Sequence, residues 1–153
     1  MNTQHQQPGS SLYPTEPQTR ATVDRLLYFD IGTLYKSLAD VVYPVFRGLD
    51  SEYDPEKVKV LGEKVAFVND FLESNKYVAG DQMTLADISL YSSLGFFEVI
   101  DFDLSPSPNV VSWMGRMATE IEDDENVNVK PNQEFKVWFE AKRADVASVL
   151  ANV

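Results

Sequence analysis

The sequence predicts an all-α fold, a bundle of about five or six helices. Three observations carry that prediction. Apolar residues recur at spacings of three and four in successive stretches of the chain. No stretch alternates apolar and polar residues with the period of two that a half-buried strand needs. Helix-starting residues, Asp54-Pro55 and Thr84 with Asp87, stand at the head of two of the periodic stretches. With 153 residues and 44% apolar content, the chain can bury one sizeable core.

Taken in order, residues 1–11 are glutamine-rich and polar and read as a disordered tail ahead of one helical domain, residues 12–153. The tail holds no apolar run of signal-peptide type. Leu12-Tyr13-Pro14 is a short apolar patch, and Pro14 and Pro17 favour extended or turn backbone. Residues 20–47 then form the longest helical stretch. One apolar stripe runs Val23, Leu27, Ile31, Leu34, Leu38, Val41, Val45. A second set, Tyr28, Gly32, Tyr35, Ala39, Val42 and Phe46, lies beside it, and together they span an arc of about 200°. One core face needs about half of that arc. The remaining face is left to meet another helix, another subunit or a ligand. Gly32 marks either a kink or a close approach, and Pro44 is expected to bend the last turn.

A break at Gly48-Leu49-Asp50-Ser51 precedes a helix that starts at Asp54-Pro55, carries Val58, Leu61, Val65, Val68 and Leu72, and ends near Asn75. Thr84 is the N-cap of the next helix. Asp87, three residues on, can reach back to the Thr84 amide to form a capping box, with Met83 and Ile88 as its hydrophobic staple. The role of this motif is structural, since it fixes where a buried helix begins. Ile88, Tyr91, Leu94 and Phe97 or Val99 follow as its apolar face. Ser105-Pro106-Ser107-Pro108 turns the chain into a helix with Val110, Val111, Trp113, Met114 and Met117. The acidic run Glu120, Glu122, Asp123, Asp124, Glu125 lacks the glycine-punctuated spacing of a cation loop and reads as a solvated loop. The last helix covers about residues 133–151, with Phe135, Val137, Trp138, Val146, Val149 and Leu150.

Composition narrows the chemistry. A net charge of −11 argues against nucleic acid and anionic membrane surfaces as partners. No run approaches the ~18 apolar residues of a membrane span. The chain has no cysteine, which excludes disulfides, thiolate metal sites and a cysteine nucleophile. Its one histidine, His5, cannot build a histidine triad or a multi-histidine metal site. A reducing, cytoplasmic setting without metal or cofactor is the expectation. Tyr28, Tyr35 and Tyr43 read first as packing residues and second as pocket-lining hydroxyls. Asp30, at the margin of the apolar arc, reads as a solvated helix charge.

Over residues 11–143 the sequence resembles the C-terminal helical domain of cytosolic glutathione transferases, closest to the insect delta and epsilon classes. The matching stretches are Ser11-Leu12-Tyr13-Pro14, the run from Leu27 to Tyr35, Val78-Ala79-Gly80-Asp81-Gln82 with Thr84-Leu85-Ala86-Asp87-Ile88, and Pro108-Asn109-Val110 with Trp113. The resemblance implies a hydrophobic-substrate pocket lined by Tyr35, Leu38 and Tyr43, with Phe135 and Trp138 as candidates for its far wall. It implies that Asp30 stands where relatives support the glutamyl end of glutathione. It implies a small hydrophobic molecule as ligand, and a homodimer or a thioredoxin-like domain as partner. Family members carry that thioredoxin-like domain at their N-terminus, and it binds glutathione and activates its thiol. No counterpart is recognisable in these residues. The expectation is a transferase-family chain with no catalytic residue of its own, inactive by itself, with glutathione a co-substrate only when that domain is supplied. The alternative is a non-catalytic ligand-binding or protein-interaction module.

Overall fold

A computed structural model describes residues 11–150, with side chains through residue 148. The tail assigned to residues 1–11 lies, except for Ser11, outside the described residues, as do His5 and the side chains of Val149 and Leu150. Among the described residues there are six α-helices and no sheet, the one bridge being a turn between Tyr77 and Gly80. No helix among the described residues is long and apolar enough to cross a membrane.

The long stretch is two helices joined end to end. Helix α1 (Pro17–Phe29) passes through a π turn (Asp30–Leu34) into α2 (Tyr35–Phe46). Glu16 caps α1 by accepting from the amides of Gln18 at 3.0 Å and Thr19 at 2.7 Å. The Tyr35 amide reaches back five residues to the Asp30 carbonyl, which is the π hydrogen bond.

That turn overturns the apolar register read from the sequence. Leu27 and Ile31 were expected in the core stripe, yet Leu27 is only half-buried and Ile31 is 69% exposed. Leu26 and Asp30 are buried in their place. A π turn has about 4.4 residues where an α-helix has about 3.6, so α1 is rotated relative to an unbroken continuation of α2. Asp30 is therefore a buried carboxylate and not a solvated helix charge. Gly32 sits inside the π turn with open space around it, so no neighbour approaches it closely.

Helix α2 ends in a Schellman motif: the Gly48 amide donates to Val45 O at 3.0 Å and the Leu49 amide to Pro44 O at 2.9 Å. Gly48 takes φ +72°, the left-handed conformation this closure requires. Helix α3 (Pro55–Phe71) starts as read, with Asp54 accepting from the Glu56 amide at 2.9 Å. It stops at Phe71, short of Asn75, whose side-chain amide donates to Phe71 O at 2.8 Å.

Helix α4 (Leu85–Gly95) runs on into a 3₁₀ turn (Phe96–Ile100). Its apolar residues surround the helix, as suits a helix covered on most sides. Asp87 is fully buried at its head. Asp87 Oδ2 accepts from the Thr84 amide at 2.8 Å and from Thr84 Oγ1 at 3.0 Å, and Oδ1 accepts from the Val78 amide at 2.9 Å and Trp113 Nε1 at 3.1 Å. One carboxylate thus starts α4, anchors the preceding loop and holds α5 (Pro108–Glu120). Met83 and Ile88 flank the cap, both half-buried.

The acidic run is not all solvated. Asp124 is buried and accepts from Tyr91 Oη at 2.9 Å and Asn128 Nδ2 at 2.6 Å. A second π turn (Glu125–Val129) then leads into α6 (Lys130–Leu150). The core anchor of α6 is Phe139, fully buried, while Val137 is 69% exposed. Helix α4 packs against α1, α3 against α2 and α5, and α6 against α2 and the 3₁₀ turn.

Candidate functional site

Two clefts flank α4, on opposite faces. The first, about 620 Å³, lies between α2, α4 and α6, within the usual range for a small-molecule site. Tyr35, Leu38 and Tyr43 line it from α2, together with Ala39, Val42 and Phe46. Ser92, Ser93 and Phe96 face it from α4 and the turn that follows, and Phe135 from α6. The second, about 470 Å³, lies among the far side of α4, the 3₁₀ turn, α5 and the start of α6, with Glu98 and Asp101 among its lining residues.

The α2 wall follows from helical spacing. Residues 35, 38, 39, 42, 43 and 46 fall on one side of a 3.6-residue helix. This is the second apolar face noted in the sequence, now divided. Its α2 half lines the cleft, whereas Tyr28 on α1 is 76% exposed and turned elsewhere. Tyr35 and Tyr43 stand two turns apart with hydroxyls 3.2 Å from each other. The mutual hydrogen bond, with partial burial, raises the Tyr35 pKa above its ordinary value. Its hydroxyl therefore stays protonated at neutral pH. One proton closes the pair and the other is left to meet a ligand.

Trp138 does not line the cleft. It follows Phe135 by three residues on α6 and is 49% exposed. It stands 5.8 Å from Phe46 and 5.4 Å from Phe135, ring centre to ring centre, and so packs against two residues that do line the cleft.

Asp30 is also outside the lining. Ser89 Oγ donates to its Oδ2, and its Oδ1 is buried with no hydrogen-bond partner among the described residues. Ser89 lies on the α4 face that carries Ser92, Ser93 and Phe96. The Asp30 and Ser89 pair thus marks the α1 end of that face.

Sequence reading missed Ser92, Ser93, Phe96 and Arg47. The two serines carried a signal only as adjacent small polar residues between Tyr91 and Leu94, and the Ser92 hydroxyl donates to Ile88 O at 3.0 Å. Arg47 carried none, since its place at the mouth is set by the Schellman closure that follows it.

Residues 36–120 match the family described as glutathione S-transferase, C-terminal domain. Among solved structures, a delta-class glutathione transferase of Nilaparvata lugens is 38% identical with a TM-score of 0.82, and the match covers 88% of this chain and 62% of that one. A glutathione transferase of Bombyx mori is 32% identical with a TM-score of 0.78, covering 86% and 61%. An epsilon-class enzyme of the housefly, Musca domestica, is 27% identical with a TM-score of 0.79, covering 88% and 62%. The chain thus spans somewhat less than two thirds of the length of these structures.

Proposed function

The chain belongs to the glutathione S-transferase family, whose C-terminal domain it carries, and on that premise we propose that its α2/α4/α6 cleft is the hydrophobic-substrate half of a glutathione-conjugating site. The observation that supports this reading most is the cleft itself, an apolar cavity of about 620 Å³ with Tyr35 and Tyr43 in its lining. Its natural ligand is a small hydrophobic electrophile of the kind removed in detoxification, and its setting is the cytoplasm.

Chemistry needs a second half. Lowering a thiol pKa takes a cation, a helix N-terminus or a comparable positioned group beside the sulfur. The Tyr35 and Tyr43 hydroxyls satisfy each other first, and the buried Asp30 carboxylate would oppose a thiolate. The 153-residue polypeptide alone binds substrate without activating glutathione, and glutathione joins only with a thioredoxin-like domain.

A neutral fluorescent probe, N-phenylnaphthylamine, tests the binding half. It is expected to bind the purified chain, and Ser93→Trp, which fills the cleft, is expected to abolish binding while leaving the helical circular dichroism intact. Unchanged binding in that variant would place the probe elsewhere and defeat the reading. In the same preparation, glutathione and a chloronitroarene are expected to react at the uncatalysed rate; faster conjugation would refute the half-site proposal.

A second copy of the chain is the proposed partner of the α1 surface. Tyr28 there and Ile31 in the π turn that follows are 76% and 69% exposed, large apolar area for an unassociated surface. Sedimentation is expected to show self-association at micromolar concentration that Ile31→Glu weakens. A monomer throughout, or a variant that associates as well as the parent, would argue for a different surface.

A further inference from the structure

The cleft on the other face of α4 has a chemistry of its own. It holds about 470 Å³, enough for a small molecule, and its lining mixes apolar and acidic residues. Leu94, Phe97, Phe102, Leu104 and Met114 supply the apolar part. Phe97 meets Phe102 edge to face, with ring centres 4.9 Å apart. Glu98 and Asp101 are its charged lining residues, both exposed, and no lysine or arginine joins them among the described residues.

One cation stands close to these acids, and it is already committed. Lys136 on α6 pairs with Asp101 and donates to Glu98 O at 3.0 Å. It thus holds the Glu98 backbone and not the carboxylate, which makes no hydrogen bond or ion pair among the described residues.

A third carboxylate lies behind the wall. Tyr91 and Asn128 line the cleft, and both donate to the buried Asp124. Burial and the bond to Asp124 raise the Tyr91 pKa, so its hydroxyl stays a neutral donor. Asp124 therefore has neutral partners and no ion pair among the described residues. Buried charge calls for compensation. A cleft edged by one sign of charge also concentrates the opposite sign.

We infer that this cleft is a second binding site, for a small organic cation: a flat aromatic body against Phe102, Leu104 and Met114, with an ammonium or charged ring nitrogen facing the Glu98 carboxylate. Aromatic walls add attraction for such a charge. The two clefts share no lining residue, and the cation site does not depend on the reading of the α2/α4/α6 cleft.

Thioflavin T, a benzothiazolium cation that fluoresces when its rings are held, is titrated into the purified chain beside its uncharged benzothiazole analogue. Thioflavin T is expected to bind at one site and to lose about fivefold in affinity in Glu98→Gln, the scale of one partly exposed charge contact. The analogue is expected to stay within about twofold. Asp81→Asn removes an exposed acid ahead of α4 and controls for the overall charge of the chain; it should leave thioflavin T within about twofold. Leu104→Trp, which fills the cleft, is expected to abolish thioflavin T binding with helical circular dichroism intact. N-phenylnaphthylamine, the neutral dye of the first cleft, should still bind that variant, and Ser93→Trp should leave thioflavin T in place. The inference is overturned if the parent chain does not bind thioflavin T, if Glu98→Gln weakens it no more than Asp81→Asn does, or if Ser93→Trp displaces it. A folded Leu104→Trp chain that binds thioflavin T like the parent overturns it too. Should that variant fail to fold, the comparison of Glu98→Gln with Asp81→Asn decides alone. Loss of the neutral dye throughout would count against the first cleft and leave the second standing.

Discussion

Asp87→Ala is expected to lower the unfolding free energy by about 4 kcal/mol, measured from the urea midpoint at constant m-value. The carboxylate is fully buried and accepts from the amides of Val78 and Thr84, the hydroxyl of Thr84 and the indole of Trp113. Removing it leaves several buried donors unpaired, each costing about 1–3 kcal/mol, and removes a helix cap worth about 1 kcal/mol. Asp87→Asn keeps one carbonyl oxygen as acceptor and should cost about half as much. Thr84→Ala, which loses only the cap hydroxyl, should cost about 1 kcal/mol. An Asp87→Ala protein within about 1 kcal/mol of the parent would mean that these bonds are replaced by water.

Phe139→Ala is expected to cost about 3–5 kcal/mol, the range for truncating a fully buried aromatic. It should also weaken the neutral dye several-fold, because Phe139 stacks on Phe46 and Phe135, both of which line the cleft. Val137→Ala, two residues away and 69% exposed, should change stability by no more than about 0.5 kcal/mol. The contrast is diagnostic. The sequence pattern selects Val137 and Trp138 as the apolar face of α6, whereas the fold places Phe139 inside. Equal effects at 137 and 139 would contradict the fold of α6.

The difference between what was legible and what was not has a common cause. The starts of α3 and α4 were readable because a cap acts over three or four residues of its own chain, as at Asp54 and Thr84. The all-α class was readable because periodicity is local too. The α2 wall of the cleft was half readable: Tyr35, Leu38 and Tyr43 were named, from resemblance, and Ala39, Val42 and Phe46 belonged to the second apolar set. Asp30, Asp124, Phe139 and Arg47 were misread or missed, because their surroundings come from elsewhere in the chain. Asp30 meets Ser89, Asp124 meets Tyr91, and Phe139 meets Phe46. No single-helix pattern contains those partners. Extended α-helical counting also fails once the π turn has changed the phase.

The π turn has a consequence for how this chain tolerates insertions and deletions. Most single-residue deletions inside a helix are harmful because they turn everything beyond them by about 100° and shift it by about 1.5 Å. Here the long helix already contains one residue more than an unbroken α-helical path needs. A deletion at Gly32, where an added methyl group would meet nothing, would let the Asp30–Leu34 segment close as ordinary α-helix. Helix α1 would keep its register, because Asp30, Leu26 and Val23 would then precede Leu34 at helical spacing on the core side. The segment thus works like slack in a cord: it can give up one residue while the core face of α1 and the α2 wall both keep their places.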